Sequence, residues 1–178
     1  MLPGARVLAL ALACAPLTAC VLAAEAELPD VEVASHGIAV PAAPPEADSN
    51  DVMVGVSFRQ KPNRAGLAKD AFSNVRVLSV SLNAIGLANL GFLRSLRITA
   101  TSDEADMAGR APIEITRYAR PAVPITSPTL QMKSEPPADI TELWRSKEVI
   151  FTLEVAGQLP TVAWSADVGM RVSATLKY

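Results

Sequence analysis

The chain has 178 residues, half of them hydrophobic and 19% charged, with a formal net charge of −2 at pH 7. That length suits one domain with a real core, and the near balance of charge, without any run of Lys or Arg, speaks against nucleic-acid binding. A single histidine excludes multi-histidine metal centres and HExxH zinc sites.

Residues 1–6, MLPGAR, carry one cation on Arg6, and the next charges are Glu25 and Glu27. Between them runs an uncharged stretch, VLALALACAPLTACVLAA, from Val7 to Ala24. A basic start, a short apolar core and a small-residue exit describe a secretory signal peptide. The stretch approaches the length of a membrane span, but Pro16 interrupts a helix there and alanine gains little from lipid.

Within this leader, Leu17-Thr18-Ala19-Cys20 resembles the lipobox of bacterial lipoproteins: leucine, two small residues, then cysteine. The resemblance covers only the first twenty residues. It implies cleavage between Ala19 and Cys20, a diacylglyceryl group on the Cys20 thiol and acylation of the new amino end. Alkyl chains anchor by burying methylenes at about 0.8 kcal/mol each, and two or more chains hold stably where one does not. Cys14 has Ala11 where the pattern has leucine, so it reads as leader. Val21, rather than aspartate, follows the cysteine, which resembles lipoproteins sorted to the outer membrane of a Gram-negative cell. Cleavage would leave Cys20 as the only thiol, so no intramolecular disulfide and no catalytic cysteine remain. The alternative is ordinary cleavage after Ala24-Glu25-Ala26, which releases a soluble secreted protein.

After the leader, residues 20–30 are expected to be a membrane tether and residues 31–178 the folded domain. The segment Val31–Val40 suits a first strand, and PAAPPEADSN at 41–50 suits an extended loop. Downstream, apolar residues recur with period two. Val52, Val54, Val56 and Phe58 form one face, and Arg76, Leu78, Val80 and Leu82 the next. Leu96, Ile98 and Ala100 continue the pattern, followed by Ile113 and Ile115, then Leu130 and Met132. Val149, Phe151, Leu153 and Val155 precede the longest alternation, Val168 to Tyr178. Breaks such as Lys61-Pro62-Asn63-Arg64, Ser102-Asp103-Glu104 and Ala156-Gly157-Gln158-Leu159-Pro160 carry turn chemistry. Prolines 121, 124, 128, 136 and 137 confine neighbouring strands to edges or ends, because proline donates no ladder bond.

One short helix is signposted by Asp139-Ile140-Thr141-Glu142, a capping box running to about Lys147, and Ile85–Leu93 offers a further helical turn. About eight half-buried strands without βα alternation predict an all-β antiparallel sandwich, Ig-like or jelly-roll-like.

Catalytic signatures are missing: there is no G-x-S-x-G elbow and no phosphate loop. His36, before Gly37, reads as an exposed turn residue rather than a base for serine. Asp103, Glu104 and Asp106 offer oxygens for Ca²⁺, but their spacing does not match an EF-hand, and a solvated turn explains them. Asp139 and Glu142 are explained by the helix cap, and Asp167 sits on a polar strand face, so no pair stands out for glycoside hydrolysis. Arg94, Arg97, Arg117 and Arg120 are scattered among acids. Trp144 and Trp164 are candidates for stacking on a sugar ring. Parity and the short helix place both more naturally in the core.

The sequence thus describes a lipid-anchored, non-catalytic envelope protein, with no cofactor beyond the lipid on Cys20. Its expected partners are the membrane and an envelope protein or glycan, and the alternative role is a sugar- or lipid-binding module. An exposed tryptophan pair, or an apolar cavity of a few hundred Å³, would favour that second role.

Overall fold

A computed structural model describes residues 25–44, 52–64, 66–105, 107, 109–121 and 123–177. The leader, Cys14, the lipobox Leu17–Cys20 and Asp106 lie outside the described residues. Among the described residues, no helix is long and apolar enough to cross a membrane.

Eight strands form two four-stranded antiparallel sheets. The first holds β1 (Glu25–Val40), β8 (Trp164–Lys177), β3 (Phe72–Ile85) and β6 (Thr129–Asp139), in that order. The second holds β2 (Val52–Gln60), β7 (Val149–Gly157), β4 (Leu93–Thr101) and β5 (Ile113–Ala119). The order β1-β8-β3-β6 against β2-β7-β4-β5 is that of a jelly roll, with the chain changing sheet at every connection except β4 to β5. An immunoglobulin sandwich would instead divide its strands ABED against CFG.

The inner faces follow from the alternation. In β8, Trp164, Ala166, Val168, Met170, Val172, Ala174 and Leu176 are all buried, as are Val149, Phe151, Leu153 and Val155 of β7. Each such Val, Leu or Phe contributes about 1.5–3 kcal/mol by leaving water. The β5 and β6 edges meet without a ladder: Ser134 Oγ donates to Ile115 O at 2.6 Å and Thr116 Oγ1 to Lys133 O at 3.0 Å. On the other flank, Ser35 Oγ donates to Gln60 Oε1, clipping β1 to β2.

Four expectations change. Residues Glu25–Asp30, expected as part of a tether, form the first part of β1, with Glu25 opposite Lys177 and Leu28 opposite Ala174. Their exposed acids blunt a free sheet edge, which a tether reading of the charges overlooks. In β3, Arg76 does not share a face with Val80. A bulge between Val77 and Ser79 shifts the parity, so Val75 and Val77 are buried and Arg76 is exposed. The helix α1 is only Thr141–Arg145, and Glu142 pairs with Arg145 instead of closing a capping box. Asp139 still accepts from the Thr141 N–H, but from the last position of β6. Finally, Ile85–Leu93 forms no helix: Ile85 ends β3 and Leu93 begins β4. The prolines act as expected, since β5 and β6 are both edge strands and Pro136–Pro137 lie within β6.

Candidate functional site

Strand order sorts the connections to two ends. Those joining β1 to β2, β3 to β4, β5 to β6 and β7 to β8 gather at one end, called here the tip. The connections β2–β3, β4–β5 and β6–β7 gather at the other, the base, together with Glu25 and Lys177. At about 3.3 Å per residue, the sixteen residues of β1 span about 50 Å between the two.

The described part of the tip carries little charge; the β1–β2 connection also contains Glu46, Asp48 and Asp51, which lie outside the described residues. The tip's described loop residues, 41–44, 86–92, 120–121, 123–128 and 158–163, include one charged side chain, Arg120. Four large apolar side chains stand exposed there, at the loops and strand ends: Met53, Ile85, Val123 and Val162, the last two 73% and 62% exposed. The loops are joined to one another and to strand ends by main-chain bonds: Ala43 N to Pro160 O, Leu90 N to Ser127 O, Ala84 N to Pro128 O and Gln158 N to Phe92 O. Beneath them Leu90 is fully buried, and Phe92 meets Trp164 edge to face with ring centroids 5.9 Å apart. Gly157 is required here, because a Cβ would lie 2.2 Å from Phe92 O.

The base is charged and its links run through side chains. Arg145 Nη2 donates to Phe72 O at 2.7 Å, Arg64 donates to Trp144 O and Ser146 O, and Thr141 Oγ1 accepts from Val75 N at 2.8 Å. Between α1, the start of β3, the end of β4 and the 102–112 loop lies a cavity of about 400 Å³. Ala100, Met107, Ile113 and Leu143 supply apolar wall, Ser73, Thr101 and Ser102 hydroxyls, and Arg110 and Arg145 guanidinium groups. Arg145 Nε is buried without a hydrogen-bond partner, while Nη1 holds Glu142 Oε1 at 2.7 Å. The Arg110 side chain has no acceptor among the described residues.

Asp139 lines the same cavity. Burial, the largest influence, pushes its carboxyl up. The Thr141 side-chain and backbone bonds, with Arg76 and Arg145 nearby, together bring it below the usual range.

The other residues singled out from the sequence are dispersed. His36 and Gly37 form a bulge in β1, with Gly37 at a φ of +65°. Asp167 Oδ1 accepts from the Gly37 N–H at 2.8 Å, and Oδ2 lies 3.2 Å from His36 Nδ1. Those contacts hold Asp167 below the usual carboxylate range, the Gly37 bond most of all. His36 is exposed and pairs with a carboxylate, as an oriented base would, but the nearest serine in sequence, Ser35, bonds Gln60 instead. Asp103 pairs with Arg59, which also holds Glu148, and Glu104 accepts from Lys147 N. These acids close the base, as a solvated turn would. Among the described residues no group of three or more His, Cys, Asp or Glu is placed to hold a metal. Arg97 pairs with Glu154 and Arg117 with Glu114 on the outer face of the second sheet.

Trp144 and Trp164 are buried, at 4% and 5% exposure. Trp144 sits at the base on α1 and Trp164 at the tip where β8 begins. Placed at opposite ends and facing inward, they form no sugar-stacking platform. The signals that sequence reading missed are Arg110 and Met107: both lie in a loop whose position over α1 is set by tertiary packing.

No family model and no curated protein matches the chain. Among solved structures, a carbohydrate-binding module of the β-sandwich superfamily is 6% identical with a TM-score of 0.38, over 82% of this chain and 54% of that one. The chain therefore spans about half the length of that protein. The decameric BFDV capsid protein is 6% identical with a TM-score of 0.38, over 85% of this chain and 99% of that one. A family 32 carbohydrate-binding module of NanJ from C. perfringens, in complex with galactose, is 10% identical with a TM-score of 0.26, over 80% of this chain and 99% of that one. At these scores none of them bears on the activity or ligand of this chain.

Proposed function

We propose that the chain is an exported lipoprotein, cut between Ala19 and Cys20 and held in a membrane, the outer one in a Gram-negative host, by lipid on Cys20. Its jelly roll then works without catalysis, as a structural or protein-interaction module of the cell envelope. The observation that carries the reading is the set of exposed apolar side chains at the tip, Met53, Ile85, Val123 and Val162. Exposed apolar groups on the loops and strand ends of one end of a domain favour contact with a partner. The position of β1 supports the anchor. Its first described residue, Glu25, lies at the base only five positions after Cys20, and the tip would project about 50 Å beyond that base. Cleavage after Ala26 would instead remove the Glu25 and Ala26 rungs of the β1–β8 ladder.

Fractionation and fatty-acid labelling test the anchor. The wild type should take label and follow membranes, and Cys20→Ala should do neither; an unlabelled wild type sinks the anchor. A photo-cross-linking residue at Val123, compared with one at Ser173 on the outer sheet face, tests the contact. A discrete adduct at position 123, lost on Val162→Asp, is expected, and equal labelling at both positions would overturn it.

A second reading, a small-ligand module of the envelope, is favoured by the 400 Å³ cavity at the base, a size within the range of small-molecule pockets.

A further inference from the structure

Resting on that second reading, we propose that the base cavity binds a single-chain amphiphile with a carboxylate head, a fatty-acid-like ligand. Its alkyl part would lie against Ala100, Met107, Ile113 and Leu143, and its head would meet Arg110 and Arg145. Three observations select this chemistry.

The first is the pair of guanidinium groups on one cavity. Arg145 is fixed at its wall, with Nη1 on Glu142 and Nη2 on the Phe72 carbonyl. Arg110 adds a second cation on the same cavity with no acceptor among the described residues. Planar guanidinium groups suit carboxylate oxygens.

The second is the state of the two acids in the wall. Glu142 is held by Arg145, and one oxygen of Asp139 is held by both the N–H and the hydroxyl of Thr141. Both acids are thus engaged in building the base, while Arg110 on the same wall is not.

The third is the absence of any aromatic ring from the cavity lining. A sugar is commonly gripped by stacking its apolar face on such a ring. An alkyl chain needs only the aliphatic wall that is present. The cavity also lies at the base, the end that holds Glu25, five positions after Cys20, so an anchored domain would present it towards lipid.

The test uses the full chain in phosphatidylcholine nanodiscs, with methyl-labelled methionine so that Met107 reports on the cavity. Octanoate should shift the Met107 methyl saturably. Octanol should bind at least about tenfold more weakly, since it lacks the charge that strengthens a guanidinium bond. Acetate should give no shift. Arg110→Gln should weaken octanoate about tenfold while leaving octanol unchanged, a split that mere loss of structure cannot produce. Equal affinity for octanoate and octanol would overturn the head-group pairing. If galactose saturably shifts Met107 and octanoate does not, the ligand-module reading stands and the amphiphile falls. If no probe shifts Met107 while the other methionine signals remain dispersed, both fall.

Discussion

The two ends of the sandwich are held together by different chemistry. At the tip, the bonds that cross between segments run from main chain to main chain, such as Ala43 to Pro160, Leu90 to Ser127 and Gln158 to Phe92. At the base, one main-chain bond of that kind among the described residues, Ile140 N to Val75 O, is supplemented by Arg64, Arg145, Thr141 and the Arg59–Asp103–Glu148 cluster. The difference follows from what each end must close. The described tip loops are rich in proline and glycine, so their backbones approach directly and leave apolar side chains outward. The base holds a five-residue helix, whose unpaired carbonyls need long side-chain donors. Described tip loops with a single charged side chain, Arg120, and a charged base are the consequence.

The largest effects should come from the residues that pack each end. Leu90→Ala at the tip and Leu143→Ala at the base should each cost about 2–5 kcal/mol in urea unfolding, because both side chains are buried. A loss below about 1 kcal/mol for Leu90 would mean that the tip loops are not packed as a unit. Thr141→Val comes next. It strips the Val75 N–H of its acceptor and should cost about 1–3 kcal/mol, with early hydrogen exchange at Val75 as the signature.

Acid should separate the two ends further. The Asp139 carboxyl is held low in the folded state, so the stability it contributes is present above the unfolded value of about 3.9 and is lost as pH falls through the lower folded value. Amides of Ile140 and Thr141 should therefore lose protection below about pH 4 before those of Leu90 and Gln158. Asp139→Asn should flatten that acid limb. Asp167, also held low, governs the separate bulge at His36–Gly37, and Asp167→Asn controls for it. The smallest effects belong to the exposed tip: Val123→Asp and Val162→Asp should change stability by less than about 0.5 kcal/mol. A larger loss in thermal melts would make these side chains structural and weaken the case for a contact surface.

Much of the fold was legible because period two survives in any half-buried strand. Val52–Phe58, Leu96–Ala100, Val149–Val155 and the β8 run all face as their alternation predicts. The failures share one cause, which is that the deciding contact lies far away in sequence. The β3 bulge is set by two neighbouring strands, so Arg76 could not be placed by its own alternation. Glu25–Asp30 looked like a polar tether because the partner strand lies some 150 residues later. For the candidate site, the inward parity of Trp164 was readable from β8, but the cavity was not. Its wall draws on Ser73, Ala100, Met107, Ile113 and Leu143, five separate stretches of chain.

By itself the sequence determined an antiparallel β domain and the edge placement of β5 and β6, and it offered Cys20 as the candidate anchor, because alternation, proline and a leader pattern act over a few residues. Only the tertiary structure decided that the sandwich is a jelly roll, since strand order depends on pairings between distant segments. It also decided which loops share an end. Loops alternate between the two ends along the chain, so main-chain closure at the tip and side-chain closure at the base become visible once the two sheets are stacked.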